Sequence, residues 1–190
     1  DLGRILDLAA PGAGQVAVAI KRGGICGSDL HYYRHGGFGV IRLQEPMVLG
    51  HEVAGEILSV GPGVAGLSPG DVVAVNPSRP CGACHYCQMG QQNHCLDRRF
   101  YGSAMRMPHV QGAFQQTLVA EASQCYRVAP GISLEEAAFA EPFAVTLHAI
   151  VRAGSLANKR MLVTGCGPIG ALAIVAARVH GAREIVATDV

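Results

Sequence analysis

The sequence predicts a mixed fold: a β-rich domain over residues 1–152, then the opening of an α/β dinucleotide-binding domain over 153–190. Three observations carry this expectation. Short runs rich in Val and Ala, punctuated by Gly and Pro, fill most of the first 130 residues, as in a compact barrel or sandwich. Near residue 133 the apolar period becomes helical, and the chain ends in a strand, a glycine turn, a helix and a second strand. Within the β-rich part, four of the seven cysteines fall inside fifteen positions, spaced C-x2-C-x2-C-x7-C.

Composition narrows the function classes. The 190 residues suffice for one domain and part of another, at about 100–200 residues each. With 49% hydrophobic and 15% charged residues the chain should bury a substantial core, and a net charge of +1 with no basic run argues against nucleic acid as a partner. The longest apolar stretch, Ile169 to Ala177, is far short of the roughly 20 residues a membrane span needs. Cysteines with a metal explanation fit a reducing cytoplasm better than a disulfide framework. The chain opens on Asp1 and stops at Asp189-Val190 just after a predicted strand, which reads as a piece of a longer protein.

In chain order, Gln15–Ile20, Met47–Val60 and Asp71–Val75 are the first strands, separated by turn signals such as Gly61-Pro62-Gly63 and Ser68-Pro69-Gly70. After the cysteine lobe, Gly112–Ala120 and Gln124–Val128 resume the β pattern. Ser133 with Glu136 is a capping-box signature. Glu141 to Ala153 carries Phe143, Leu147 and Ile150 at helical spacing, with Pro142 suited to a first turn and Gly154 as its end. Lys159–Thr164, Gly165–Gly170, Ala171–His180 and Glu184–Asp189 then form one βαβ unit. An isolated two-stranded parallel sheet would leave Leu162, Val163, Ile185 and Val186 partly bare, so a 190-residue fragment is expected to be neither stable nor active.

The lobe of Cys81, Cys84, Cys87 and Cys95 has the spacing of four thiolates meeting at one tetrahedral structural zinc. Its other residues, including Gly82, Gln88, Gly90, Gln91, Gln92 and Asn93, are poor core formers, and metal binding would supply the folding energy they lack. Disulfides and an iron–sulfur cluster are the alternatives. The first suits a secreted chain, and the second more often has a proline after its last cysteine, where this chain has Leu96.

The glycine turn reads G-x-G-x-x-G across Gly165, Gly167 and Gly170. It follows an apolar strand and opens a helix, and Asp189 lies nineteen residues past Gly170. Gly165 permits the turn, Gly167 lets backbone approach a pyrophosphate beside Pro168 and Ile169, and Gly170 allows close helix packing. The helix N-terminus offers free N–H groups to phosphate. Asp189 would accept hydrogen bonds from the ribose and repel a 2′-phosphate, which favours NAD over NADP. The competing reading is a plain packing turn with Asp189 as a solvated strand end.

Upstream, Cys26 and His51 with one carboxylate would leave an open position on a second zinc, as a catalytic site needs. Each residue taken singly reads as well as a buried thiol or a core histidine. Gly50-His51-Glu52-Val53-Ala54-Gly55, the run Cys26-Gly27-Ser28-Asp29, the cysteine lobe, Glu141-Pro142 and the glycine turn, in this order, resemble the zinc-dependent medium-chain alcohol and polyol dehydrogenases along nearly the whole chain. The resemblance implies a GroES-like catalytic domain followed by a Rossmann domain, and NAD-dependent oxidation of a secondary hydroxyl on a sugar acid or polyol, with sorbitol, xylitol and threonine dehydrogenases as alternatives. It implies that Cys26, His51 and Glu52 bind the catalytic zinc. Glu141 would hold the zinc-bound water, though a carboxylate favoured by the helix start reads equally well there. Ser28 would take the substrate proton and pass it through the cofactor ribose to His31, Asp29 would orient His51, and Tyr32 would touch substrate. Arg99, Arg106 and His109 are candidates to meet a sugar-acid carboxylate. The resemblance further implies a homo-oligomer, dimer or tetramer. A non-catalytic zinc-binding protein is the reading from another class, and it predicts a damaged catalytic set that this sequence does not show.

Overall fold

The computed structural model describes residues 10–190. Its elements are β1 (Gln15–Gly24), α1 (Gly27–His35), β2 (Gly37–Phe38), β3 (Ile41–Arg42), β4 (Glu52–Val60), β5 (Val72–Val75), β6 (Ser78–Arg79), α2 (His85–Gln88), β7 (Arg99–Phe100), β8 (Thr117–Glu121), β9 (Cys125–Arg127), α3 (Leu134–Ala138), α4 (Ala140–Ala153), β10 (Arg160–Thr164), α5 (Pro168–Val179) and β11 (Glu184–Thr188). Two compact units divide the chain, one running to Ala138 and the other from Phe139 to Val190.

The first unit is built on an antiparallel sheet in the order β8-β1-β4-β5-β9. Alternation in β1 and β4 sends Val16, Val18, Val53 and Ile57 into one core with Val73, Val75, Leu118 and Ala120, all 3% exposed or less. The Met47–Val60 run does not form one strand. Only Glu52–Val60 pairs with β1, while residues 48–50 clasp a loop, accepting N–H bonds from Gly112, Phe114 and Ala113. The capping box at α3 forms as expected, with Ser133 Oγ accepting from Glu136 N and Glu136 Oε2 accepting from Ser133 N.

Helix α1 has no counterpart in the sequence expectation. Its only buried residues are Asp29 and Tyr32, so it carries no apolar stripe to announce it.

The second unit opens with α4. The sequence expectation sets the domain division after residue 152, and the packing sets it before α4. The reason is the partner of the helix: Phe143 and Ile150 of α4 share a cluster with Ala176 and Ala177 of α5 and with Met161 and Ile185 of the parallel pair β10–β11. Met161 and Ile185 are register partners on that covered face, and Val163 is buried with them. Leu162 and Val186, partners on the opposite face, are exposed. Two of the four residues expected to be bare are therefore bare, and a parallel pair normally has both faces covered.

Because Ile57 is 1% exposed at the centre of the first core, Ile57→Ala should lower unfolding free energy by about 2–5 kcal/mol, read as a shift of the denaturant midpoint at unchanged slope.

Candidate metal centres and the cavity beside them

The pairing of β1 with β4 sets the first site. Gly24, the last residue of β1, stands opposite Glu52, the first of β4. Two residues on is Cys26, and one residue back is His51, so a sheet register brings the three together. Their ligand atoms lie within 4.8 Å of one another. A Cβ at Gly24 would meet the Glu52 carboxylate, so a side chain there would displace the donor oxygen.

Asp29 holds the two loops in place. It sits in the first turn of α1 and is 2% exposed. Its Oδ2 accepts from Cys26 N at 3.0 Å and its Oδ1 from Gly50 N at 3.0 Å. The same Oδ1 stands 3.6 Å from His51 Nδ1. The expected neighbourhood of Asp29 and His51 is therefore present, and the carboxylate also ties both ligand-bearing segments.

The electrostatics fit a cation. Hydrogen bonding to His51 and then to Ser28 pulls the Cys26 thiol below its ordinary range, against a desolvation that raises it. Desolvation pushes Glu52 up, and the nearby Asp29 charge adds to it, while His51 opposes both. A thiol, an imidazole and two carboxylates in one buried place are an unbalanced set without a divalent ion. Sulfur, nitrogen and oxygen donors with three protein ligands are the chemistry of a catalytic zinc.

A cavity of about 260 Å³ opens beside His51, with Ser28, Tyr32, Phe100, Arg98 and Arg106 in its wall. Ser28 and Tyr32 thus share one cavity wall with His51. The Tyr32 hydroxyl accepts from Ala104 N at 3.3 Å. His31 is exposed on α1, one turn from Ser28, with its ring 5.3 Å from that of Phe38. Glu141 stands in the first turn of α4, in the second unit.

The cysteine lobe forms the second site. All seven cysteines are free, with no disulfide formed among them. The four lobe sulfurs lie within 4.8 Å of one another, with Cys81 Sγ and Cys87 Sγ 4.0 Å apart. Zinc–sulfur bonds of about 2.3 Å in a tetrahedron demand sulfurs about 3.8 Å apart, so the cluster fits that ion. Backbone N–H groups already point at sulfur: Cys81 N donates to Cys95 Sγ and Cys84 N to Cys81 Sγ. The Cys84 thiol is pulled down to about 6, first by a backbone N–H bond at Leu96. Desolvation and the neighbouring thiolates push Cys87 up to about 12. No residue from 81 to 98 is buried, and Met89 and Leu96 are exposed, so no hydrophobic core holds the lobe.

In the second unit the glycine turn has the expected local form. Gly165 has φ +91°, and a Cβ on Gly170 would collide with the Gly165 carbonyl. Gly167 caps α5 with Pro168 next, and the space around its Cα is open. Asp189 also has a local duty: Oδ2 accepts from Cys166 N at 2.8 Å, and this bond holds its carboxyl below the usual range.

Two outcomes test these sites. Removing zinc by chelation, or substituting Cys95→Ser, should abolish hydrogen-exchange protection over 81–98 while leaving β1 and β4 protected. Asp29→Ala leaves one buried and one part-buried N–H group without an acceptor and should lower stability by about 2–5 kcal/mol, and metal affinity at the first site by about 10–100-fold, read by unfolding and competitive metal titration.

Comparison with known proteins places this architecture. The family profile described as alcohol dehydrogenase GroES-like domain matches residues 12–130. L-idonate 5-dehydrogenase (NAD(P)(+)) of Escherichia coli K12 is 49% identical over 173 residues, 91% of this chain and 50% of that protein. Sorbitol dehydrogenase of Bacillus subtilis is 40% identical over 175 residues, 92% of this chain and 48% of that protein. Among solved structures, L-idonate 5-dehydrogenase from Escherichia coli aligns with a TM-score of 0.87 at 47% identity, over 92% of this chain and 50% of that one. Galactitol-1-phosphate dehydrogenase from Escherichia coli aligns at 0.81 and 36% identity, over 92% and 48%. The chain spans about half the length of the curated relatives it matches. A GroES-like β-sheet unit carrying two metal-fitting donor clusters, with a profile match over most of its length, makes this chain a member of the zinc-dependent medium-chain alcohol and polyol dehydrogenase family.

Proposed function

We propose that this chain is the zinc-binding catalytic domain, with the first βαβ of an NAD-binding Rossmann domain, of a dehydrogenase that oxidises a secondary hydroxyl of a sugar acid, L-idonate to 5-keto-D-gluconate. The observation that carries the reading is the gathering of Cys26, His51 and Glu52 at one point beside a cavity walled by Ser28 and Tyr32. The identity to an L-idonate dehydrogenase, 49% against 40% for a sorbitol dehydrogenase, supports the sugar acid over the polyol.

When bound, zinc would supply Lewis acidity toward the substrate hydroxyl and NAD the hydride acceptor. Cys26, His51 and Glu52 would hold the metal, with Nδ1 of His51 turned toward Asp29 so that Nε2 is left to ligate. Ser28, in the cavity wall, would accept the proton of the substrate hydroxyl. His31, three residues further on α1 and exposed, would deliver it to water. Tyr32 would orient the substrate through its hydroxyl. For Glu141 as a further carboxylate of the catalytic zinc, the support is the Glu141-Pro142 motif alone. In the second unit the open face of Gly167, with Pro168, Ile169 and the N–H groups of α5, would take the pyrophosphate. Asp189 keeps lone pairs for the ribose beyond those that accept from Cys166 N and Val190 N.

Steady-state NAD reduction by the full-length protein with L-idonate and with sorbitol, each with and without a zinc chelator, tests the proposal. Chelator-sensitive turnover of L-idonate is expected, with Ser28→Ala lowering kcat on the order of 100-fold. Turnover of sorbitol alone would move the protein to the polyol branch, and chelator-resistant turnover would overturn the zinc assignment.

A further inference from the structure

The cavity beside His51 is charged in one direction. Arg98 and Arg106 stand in its wall, and no acidic side chain does. Only Arg106 of the three side chains expected from sequence to meet a carboxylate faces the cavity. Arg99 precedes Phe100 in β7, so strand alternation sends it to the other face while Phe100 lines the cavity. His109 is 5% exposed and committed to the backbone. Its Nε2 accepts from Gln44 N at 2.9 Å, which leaves Nδ1 to donate to the Arg106 carbonyl at 3.0 Å. The histidine is thus a neutral brace under Arg106.

Both guanidinium groups are held in place with donors to spare. Arg106 Nη2 donates to the Leu96 carbonyl, and its Nε stands 3.4 Å from Asp97 Oδ1. Among the described residues its Nη1 enters no hydrogen bond or ion pair, and its buried Nε makes no hydrogen bond. Arg98 Nη1 donates to the Asn93 carbonyl at 3.2 Å, and Arg98 forms no ion pair among the described residues. Asp97 offsets Arg106 only weakly, because its side chain is 66% exposed. A half-buried guanidinium with a free edge suits one ligand chemistry best, a carboxylate met by parallel N–H bonds. Both tethers, Asn93 and Leu96, flank Cys95, so the metal lobe braces the arginines.

We propose that Arg98 and Arg106 form the subsite that binds the carboxylate of a sugar acid, setting the enzyme's choice of an acid over a neutral polyol of the same chain length. The proposal rests on the dehydrogenase reading above and deepens it. With His51 in the same wall, a substrate anchored by its carboxylate at the arginines extends its hydroxyl chain along Ser28 and Tyr32 toward the Cys26–His51–Glu52 cluster.

The test is the ratio of kcat/KM for L-idonate to that for sorbitol, in the zinc-loaded full-length protein and in Arg106→Gln, Arg98→Gln and Arg106→Lys. The glutamine variants should lower the ratio on the order of 100-fold through KM for the acid, with the lysine variant between them and the parent. Isothermal titration with L-idonate should show the same order of loss without turnover. A ratio within about threefold of the parent in both glutamine variants would overturn the subsite while leaving the dehydrogenase reading intact. Equal loss on both substrates would make the arginines structural, and overturn it as well. A parent protein that neither binds nor oxidises L-idonate would overturn both readings together.

Discussion

A single buried carboxylate organises the first metal cluster. Asp29 is almost wholly removed from water, and such a charge is stable only when its lone pairs are taken up and an opposite charge is close. The N–H groups of Cys26 and Gly50 take up lone pairs, and the His51 ring stands beside the carboxylate, its Nδ1 3.6 Å from Oδ1. These bonds close a loop from the end of β1 to the start of β4, the two segments that carry the ligands. The sheet register brings Gly24 opposite Glu52, and Asp29 converts that proximity into a fixed triangle of sulfur, nitrogen and oxygen. Helix α1 exists on these terms: its inward contacts are Asp29 and Tyr32, and its stability is bound up with the site it serves.

The rest of the first unit divides by how each part is held. The five-stranded sheet holds itself through an apolar core of Val, Ile, Leu and Ala. The cysteine lobe has no such core and is held by its sulfur cluster. Its backbone carbonyls in turn tether Arg98 and Arg106 at the cavity wall. A structural ion in the lobe would therefore act on the cavity through two guanidinium groups, with no ligand shared between the two metal clusters.

How much of this was legible in the sequence follows from the range of each interaction. The cysteine spacing is a local code, and the four sulfurs meet as it predicts. The capping box at Ser133 and the tight packing of Gly165 against Gly170 are equally local, and both are present. Cys26, His51 and Glu52 became a set only through a motif order, since the strand pairing that unites them spans more than twenty residues. Helix α1 was hidden because a helix that buries one acid and one tyrosine has no 3.6-residue apolar period. The division before α4 was hidden because the helix finds its partners, Ala176 and Ala177, later in the chain. Arg98 lines the cavity and Arg99 does not, for a reason of parity: which of two adjacent arginines faces a cavity depends on the pairing of a two-residue strand that no composition reveals.

Two donor clusters of different chemistry, four sulfurs in one and sulfur, nitrogen and oxygen in the other, lie in one chain. Zinc content combined with X-ray absorption at the zinc edge tests that most directly, in the parent protein and in Cys95→Ser and His51→Ala. The predicted result is two zinc ions per chain, one with four sulfur neighbours that Cys95→Ser removes and one with a mixed sulfur, nitrogen and oxygen shell that His51→Ala removes. A single zinc, or two with the same all-sulfur shell, would contradict it.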